Sequence, residues 1–549
     1  MGLLESVKSA FKKGGDRVKE MVTGSKHVAT IWDLDDVPSF REFWQEGIFP
    51  WKYIYRGYYS AWHNISDPTI QDANHKRDLY RLNAGKFICQ TIARYVWGEQ
   101  CAVNVSQTGK EKGEDDPLNL FISDVLTINN FYNKLSDLYE QGAALGGGCI
   151  KTWGEVKAGK QAVDEAGEII PSEAEKNIRL SYHMADQFIP TDWTNADITG
   201  GIFISREAKK GYYYTRVERH KLTDETYSIT NQVYRERAED VERIKTTEGV
   251  EPQTILGWEY PLDAIYPHLA PYAEIENLEQ SLFSYIKPSG ANNLDDNSPL
   301  GISIYANALD TLHALDIAYD GFVNEIILSR KRIIVPSRSL TPIADESGVM
   351  RRYFNPRDSI YEALNFDVVD ELKVQEMEST LRVDDYVSAI NALLSLLCVQ
   401  LGLDAGAIAF DKATGLKTAT EVISENSKTY STVQSHQNLL KSAIEKLIHN
   451  IIDVAVLYGV EFDGVPVSSL TTGGYEVVVH FDDSIIQDRQ TDIAEGVLLN
   501  GAGLLSKKRF MTETLGYTED QAAEELAQIA SESTVEIEDV DEFNNKPGE

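Results

Sequence analysis

Leu145-Gly146-Gly147-Gly148-Cys149-Ile150-Lys151 is the stretch of this chain whose residue types invite phosphate chemistry. Glycines let backbone amides approach an anion, and a lysine stands close by. The spacing argues against that use. No Gly-Lys-Ser/Thr ending follows, and a GxGxxG pattern is absent, so the run reads as a tight turn into a strand. His75, His313 and His449 are isolated, with no HExxH or HxxxH unit, and read as packed or exposed helix residues. Cys89, Cys101, Cys149 and Cys398 are scattered without a CxxC pair, which speaks against a disulfide framework or zinc site and for a reducing compartment. Acids are plentiful, and an acid pair at the right separation would serve a glycosidase. No carboxylate is marked out by its neighbours, so an acidic hydrolase stays an alternative without a named residue. No catalytic residue, metal or cofactor is expected.

Charge is more informative than nucleophiles. Lys plus Arg number 52 against 86 Asp plus Glu, a net charge of −34. Such a surface does not grip nucleic acid everywhere, because phosphate contacts need cations. It can enclose DNA that must slide. One region runs against the trend: within 321–360, seven bases (Arg330, Lys331, Arg332, Arg338, Arg351, Arg352 and Arg357) face four acids (Glu325, Asp345, Glu346 and Asp358), giving 7 − 4 = +3. From Met511 to Glu549, twelve acids face the single base Lys546. The last dozen residues are expected to be loosely held or disordered.

The elements that position these charges are long helices. Val383, Val387, Ile390, Leu394, Leu397 and Leu401 recur in steps of four and three, and Leu440, Ile444, Leu447, Ile451, Val454 and Tyr458 repeat them. Each set makes one apolar seam of the kind that packs helix bundles. Between them, residues 403–417 hold Asp404, Gly406, Asp411, Lys412, Gly415 and Lys417, with neither Cys nor His. Its glycines break the helix, and its two Lys balance its two Asp. A third helix is expected over 302–329, with Ile304, Ala308, Leu312, Leu315, Tyr319, Phe322 and Ile326 as its stripe. At 1.5 Å per residue it would span roughly 40 Å.

The rest of the chain reads as mixed α and β. Residues 1–26 form a basic amphipathic segment, with Leu3, Leu4, Val7 and Phe11 among Lys8, Lys12, Lys13, Arg17 and Lys19. A terminal arm or subunit-contact helix fits them. The opening Met1-Gly2-Leu3-Leu4-Glu5-Ser6 also matches the short myristoylation pattern. Helices are expected over 72–96 and 117–139, a β meander over 150–265, and a turn at 292–299. Residues 332–375 read as a small α/β insertion, 475–481 as a strand, and 487–530 as helical with Ser506 and Thr518 as N-caps. No apolar run reaches the ~18 residues of a membrane span, and the N-terminus lacks the apolar core of a secretion signal.

Four pieces, in order, resemble the portal proteins of tailed bacteriophages, especially the siphophage type of Gram-positive hosts. They are Asp78-Leu79-Tyr80-Arg81-Leu82-Asn83-Ala84-Gly85-Lys86; Pro299-Leu300-Gly301-Ile302-Ser303; Gly415-Leu416-Lys417-Thr418-Ala419-Thr420-Glu421-Val422; and His480-Phe481-Asp482-Asp483-Ser484-Ile485-Ile486 followed by Gly503-Leu504-Leu505-Ser506. The resemblance implies an α+β portal fold assembled as a ring, most often a dodecamer, at one capsid vertex. It implies an N-terminal arm (1–45), an α/β wing (46–298), stem helices (299–330 and 378–402) and a small α/β clip (331–377) carrying the basic cluster. A channel loop (403–417), a long wing helix with its returning strand (418–483), helical crown (484–535) and acidic tail (536–549) complete it. The implied partners are double-stranded DNA in the channel, the terminase large subunit, a head-tail adaptor, and the major capsid and scaffolding proteins. No membrane is implied. The protein would be made in the host cytoplasm and reside in the virion. Another virion connector or minor capsid protein is the alternative within the same class.

Overall fold

The computed structural model describes residues 26–529 except 39, 67–75, 99, 109–115, 158–161, 164–168, 171–174, 196, 225, 249, 330–331, 337–341, 345–349, 353–360, 365–374, 378–380, 406, 409–418, 483–488, 515–516, 518–521 and 524. The mixture of helices and sheets is that of an α+β protein. Two compact units divide the chain: Met1–Lys412 with Thr432–Phe481, and Ala413–Ser431 with Asp482–Glu549. The basic N-terminal segment and the acidic tail lie outside the described residues, as do His75 and Thr518.

In the first unit the expected meander is an antiparallel sheet. Its path runs His27–Thr30, Ile255–Tyr260, Thr226–Arg237, Tyr212–Leu222, Ile198–Lys209 and Phe188–Trp193, and Tyr272–Glu276 pairs off that path with Thr226–Arg237. Lys210 and Gly211 turn one of its hairpins with φ of 52° and 80°, the mirror-type turn that matches strand twist. A helix at Ala238–Glu248, unexpected from the sequence, interrupts the meander. A second sheet orders Phe283–Ile286, Gly148–Lys157 and Glu175–Met184. Phe188, Phe203 and Phe283 are fully buried in one cluster with Cys149 and Ile198, drawn from both sheets. All four cysteines are buried thiols without disulfides.

Three expected helices are shorter or broken, each for a local reason. The helix expected over 72–96 is Ala84–Val96, because Lys76–Asp78 pairs as a strand with Asn64–Ser66. The amides of Tyr80 and Leu82 donate to the Asp320 and Asp316 carboxylates, not to helical carbonyls. The helix expected over 117–139 is two, Pro117–Ile128 and Phe131–Leu145, divided where Asn130 takes φ 50°. There the Asn129 side chain donates to Ile178 O and accepts from Leu180 N, occupying the free edge of the second sheet. The third helix runs Leu309–Leu328, about 30 Å and not 40 Å. Its expected first turn is diverted, since Ile304 N donates to Ala143 O.

The glycine run does enter a strand, Gly148–Lys157, through Gly146 at φ 90°. A Cβ on Gly146 would overlap the Gly301 carbonyl, so the glycines let two backbone segments touch. Tyr475–His480 forms the expected strand and pairs with Ala102–Gln107. Over 332–377 the described residues form strands only. Arg332–Pro336 pairs in parallel with Tyr361–Leu364 and antiparallel with Gln375–Met377, while Pro342–Ala344 pairs with Met350–Arg352.

The second unit holds the helix Arg489–Gly501 and a turn capped by Ser506, whose Oγ accepts from Arg509 N at 3.2 Å.

Candidate functional site

Helices Leu309–Leu328 and Val383–Gln400 lie side by side. Phe322 packs on Tyr386 at 5.8 Å between ring centres, with Gly321 leaving room for the tyrosine ring. Arg382 grips Glu325 through both ends of its guanidinium, at 2.9 and 3.2 Å. Ile390, Leu394 and Leu397 of the expected seam are buried, as are Leu312 and Leu315 opposite. The outer residues are not. Val383, Ile326 and Ile327 stay exposed at one end of the pair, and Ile317, Leu396 and Val399 expose about half their surface elsewhere on it (52%, 48% and 54%). A lone subunit therefore leaves large aliphatic area in water along both helices.

The buried side of helix Leu309–Leu328 carries two carboxylates that sequence reasoning missed. Asp320 takes both Nη atoms of Arg77 at 2.7 Å, the Tyr80 amide at 3.0 Å and Asn324 Nδ2 at 2.8 Å. Burial alone would raise its pKa, but Arg77 and these donors outweigh it and hold the carboxyl below the usual range. Asp316 accepts from Leu82 N at 2.8 Å and from His63 Nε2 at 3.0 Å. His63 Nδ1 accepts from Tyr59 N, so the ring proton sits on Nε2. Acids four apart on a stripe otherwise apolar were the available signal. They bind the segment 77–82 to the helix and do no chemistry.

The long helix runs Ala419–Tyr458, and in the first unit Leu440, Ile444, Leu447, Ile451 and Val454 of its seam are buried. The turn after Gln400 is packed down at its start. Leu403 and Ile408 are buried, Leu403 N donates to Cys398 O at 2.8 Å, and Ala407 N donates to Asp404 O at 2.9 Å. Gly402 has φ 73°, and Thr432 Oγ1 donates to its carbonyl at 2.7 Å. The Thr432 hydroxyl thus ties the turn to the long helix. Thr432→Val keeps the shape and removes the donor, at a cost of about 1 kcal/mol. Amide exchange at Leu403 and Ala407 should rise about fivefold with the melting temperature nearly unchanged. Unchanged exchange would show that the hydroxyl holds nothing.

Of the loop residues singled out, Asp404 is described and already has an interaction partner, while Gly406, Asp411, Lys412, Gly415 and Lys417 lie outside the described residues. Of the basic cluster, Arg332 is on the three-stranded sheet, and Arg351 and Arg352 are on the separate two-stranded one. Arg330, Lys331, Arg338 and Arg357 lie outside. His313 stacks on Trp62 at 4.9 Å, and His449 meets the Tyr475 hydroxyl. Among the described residues no cluster of His, Cys, Asp and Glu gathers to hold a metal, and no helix is long and apolar enough to cross a membrane.

A second missed cluster lies between the sheets. Buried Glu218 pairs with Lys151, forms an ion pair with Arg216 at 3.0 Å, and lies 3.0 Å from His220 Nε2. His220 Nδ1 reaches the Tyr227 hydroxyl at 2.6 Å, and that oxygen accepts from Leu282 N. Burial opposes ionisation of Glu218, yet Lys151, His220 and Arg216 hold it well below the carboxylate range. His183 beside them is pushed down to about 3, first by burial and then by the Lys151 charge.

Charged clusters spent on internal ties, with exposed aliphatics along paired helices, define a structural subunit. The chain belongs to the family of phage portal proteins described as SPP1 Gp6-like, whose sequence pattern matches residues 51–539, or 489 of 549. A comparison with curated proteins gives no match. The family is structural and non-enzymatic: a component of the virion capsid that serves DNA packaging. Membership implies a homo-oligomeric ring engaged with DNA and the phage head.

Proposed function

We propose that twelve copies of this chain close into the ring at the portal vertex, through which DNA enters during packaging, is held, and leaves. In this reading residues 299–330 and 378–402 are the stem and 331–377 the clip, whose basic cluster faces the terminase large subunit and later a head-tail adaptor. Residues 46–298 with 418–483 form the wing and 484–535 the crown, towards the capsid and scaffolding proteins. The loop within 403–417 borders the channel, and its described residues Leu403 and Ile408 are buried. Lys412 and Lys417 balance Asp404 and Asp411 there, so a polyanion slides without a deep electrostatic well.

The observation that carries ring closure is the exposed aliphatic side chains along the helix pair. Each is already about half buried, so covering the rest against a neighbour contributes about 1 kcal/mol. Native mass spectrometry of the purified protein should give a closed ring near twelve subunits. Replacing Leu396 and Val399 by Glu should leave a folded monomer. A wild-type protein that stays monomeric at micromolar concentration, or a double variant that still closes, would overturn this assignment of the interface.

A further inference from the structure

A groove opens between the helix Pro117–Ile128, the start of the strand Glu175–Met184, and the short hairpin Glu461–Phe462 with Val465–Pro466. Phe121, Val125, Val460 and Phe462 line it, the two phenylalanine rings meet edge-on at 5.9 Å, and Ile128 stands at its lip half exposed. Its volume is about 200 Å3. Unlike the closed apolar cavity of roughly 150 Å3 that accepts benzene, this groove is open and partly polar-walled, and its volume admits a single aromatic or large aliphatic side chain. Asp124 and Glu461 on its wall are exposed, whereas Lys176 beside them donates its ammonium to Gly459 O at 2.9 Å. The complementary occupant carries apolar side chains flanked by cations.

This acidic chain has a segment of that chemistry outside its described residues. Residues 3–19 bring Leu3, Leu4, Val7 and Phe11 together with Lys8, Lys12, Lys13, Arg17 and Lys19. We propose that the groove is the docking site for this N-terminal segment of a portal subunit, one apolar side chain filling it and the lysines lying over Asp124 and Glu461. The family relationship leaves this surface unassigned. The basic arm then has a receptor on the protein itself and need not reach lipid or DNA.

The test places a photo-reactive amino acid at Ile128 in the full-length, assembled protein and maps the cross-linked peptides by mass spectrometry. Peptides from residues 1–19 are expected. Cross-links to any other segment, or none to 1–19, overturn the proposal. Because Ile128 borders a helix end, a second variant, Asp124→Lys with Glu461→Lys, changes only exposed positions. It should leave melting and assembly intact and speed tryptic cleavage after Lys12 and Lys13 about tenfold, the effect of reversing two exposed charge contacts. Cleavage at the wild-type rate would equally overturn it.

Discussion

Gly146→Ala should destabilise the first compact unit by about 3–5 kcal/mol and lower its melting temperature by on the order of 10 °C. Two costs combine. At φ 90° a side chain meets the left-handed penalty of roughly 1–2 kcal/mol. The added methyl group also overlaps the Gly301 carbonyl, a backbone group that cannot rotate aside. Moving it would pull on Ile304, whose amide is bonded to Ala143 O one turn before Gly146. Gly211→Ala is the control. Gly211 has φ 80° but nothing within 4 Å of the added carbon, so it should cost only the conformational part. Equal losses in the two variants, read by thermal melting of the assembled protein, would mean that the close approach of 146 and 301 is unimportant.

That contact explains why some of the molecule was legible in the sequence and some was not. Helix seams are local repeats, so the six-residue series from Leu440 to Tyr458 gave a helix and its C-terminal end, while the helix itself begins well before that series, at Ala419. The β meander over 150–265 declared itself through β-branched and aromatic residues between turns, as in Ile198–Lys209 and Thr226–Arg237. The failures are places where a distant partner takes over backbone hydrogen bonds. Residues 79–83 look helical until Asp316 and Asp320, more than 230 positions away, accept their amides. Asn129 is an ordinary helix residue until its side chain meets the edge of another sheet. The paired helices were visible as apolar stripes, but which half of each stripe is covered depends on packing. Ile390 and Ile326 look alike in sequence, yet one is buried and the other exposed. The basic cluster was legible as charge alone. Its members at 332 and 351–352 sit on different sheets, a division that net charge cannot reveal.

The largest electrostatic effect should come from Glu218→Gln. The carboxylate is buried against Lys151, Arg216 and His220, and removing it leaves the Lys151 ammonium without its counter-ion in the interior. Breaking one partner of such a pair costs about 3–5 kcal/mol, whereas replacing both by apolar groups is often nearly neutral. Lys151→Met in the Glu218→Gln background should therefore recover part of the loss, the remainder reflecting Arg216. Acid should reach the same cluster in two stages. His183 is neutral in the fold down to about pH 3 but protonates below about 6.5 once unfolded, so the unfolded state binds more protons and stability falls as pH drops below 6.5. Glu218 is held ionised well below 4.5, so its stabilisation is present above that pH and is lost as acid drives it towards protonation. His183→Gln should reduce the slope of the melting profile from pH 6.5 down to about 3, leaving below 4.5 only the part of the loss that Glu218 supplies. Glu218→Gln should leave the slope between 6.5 and 4.5 and reduce the loss below 4.5. If both variants keep the wild-type slope in both ranges, this cluster does not govern the acid response.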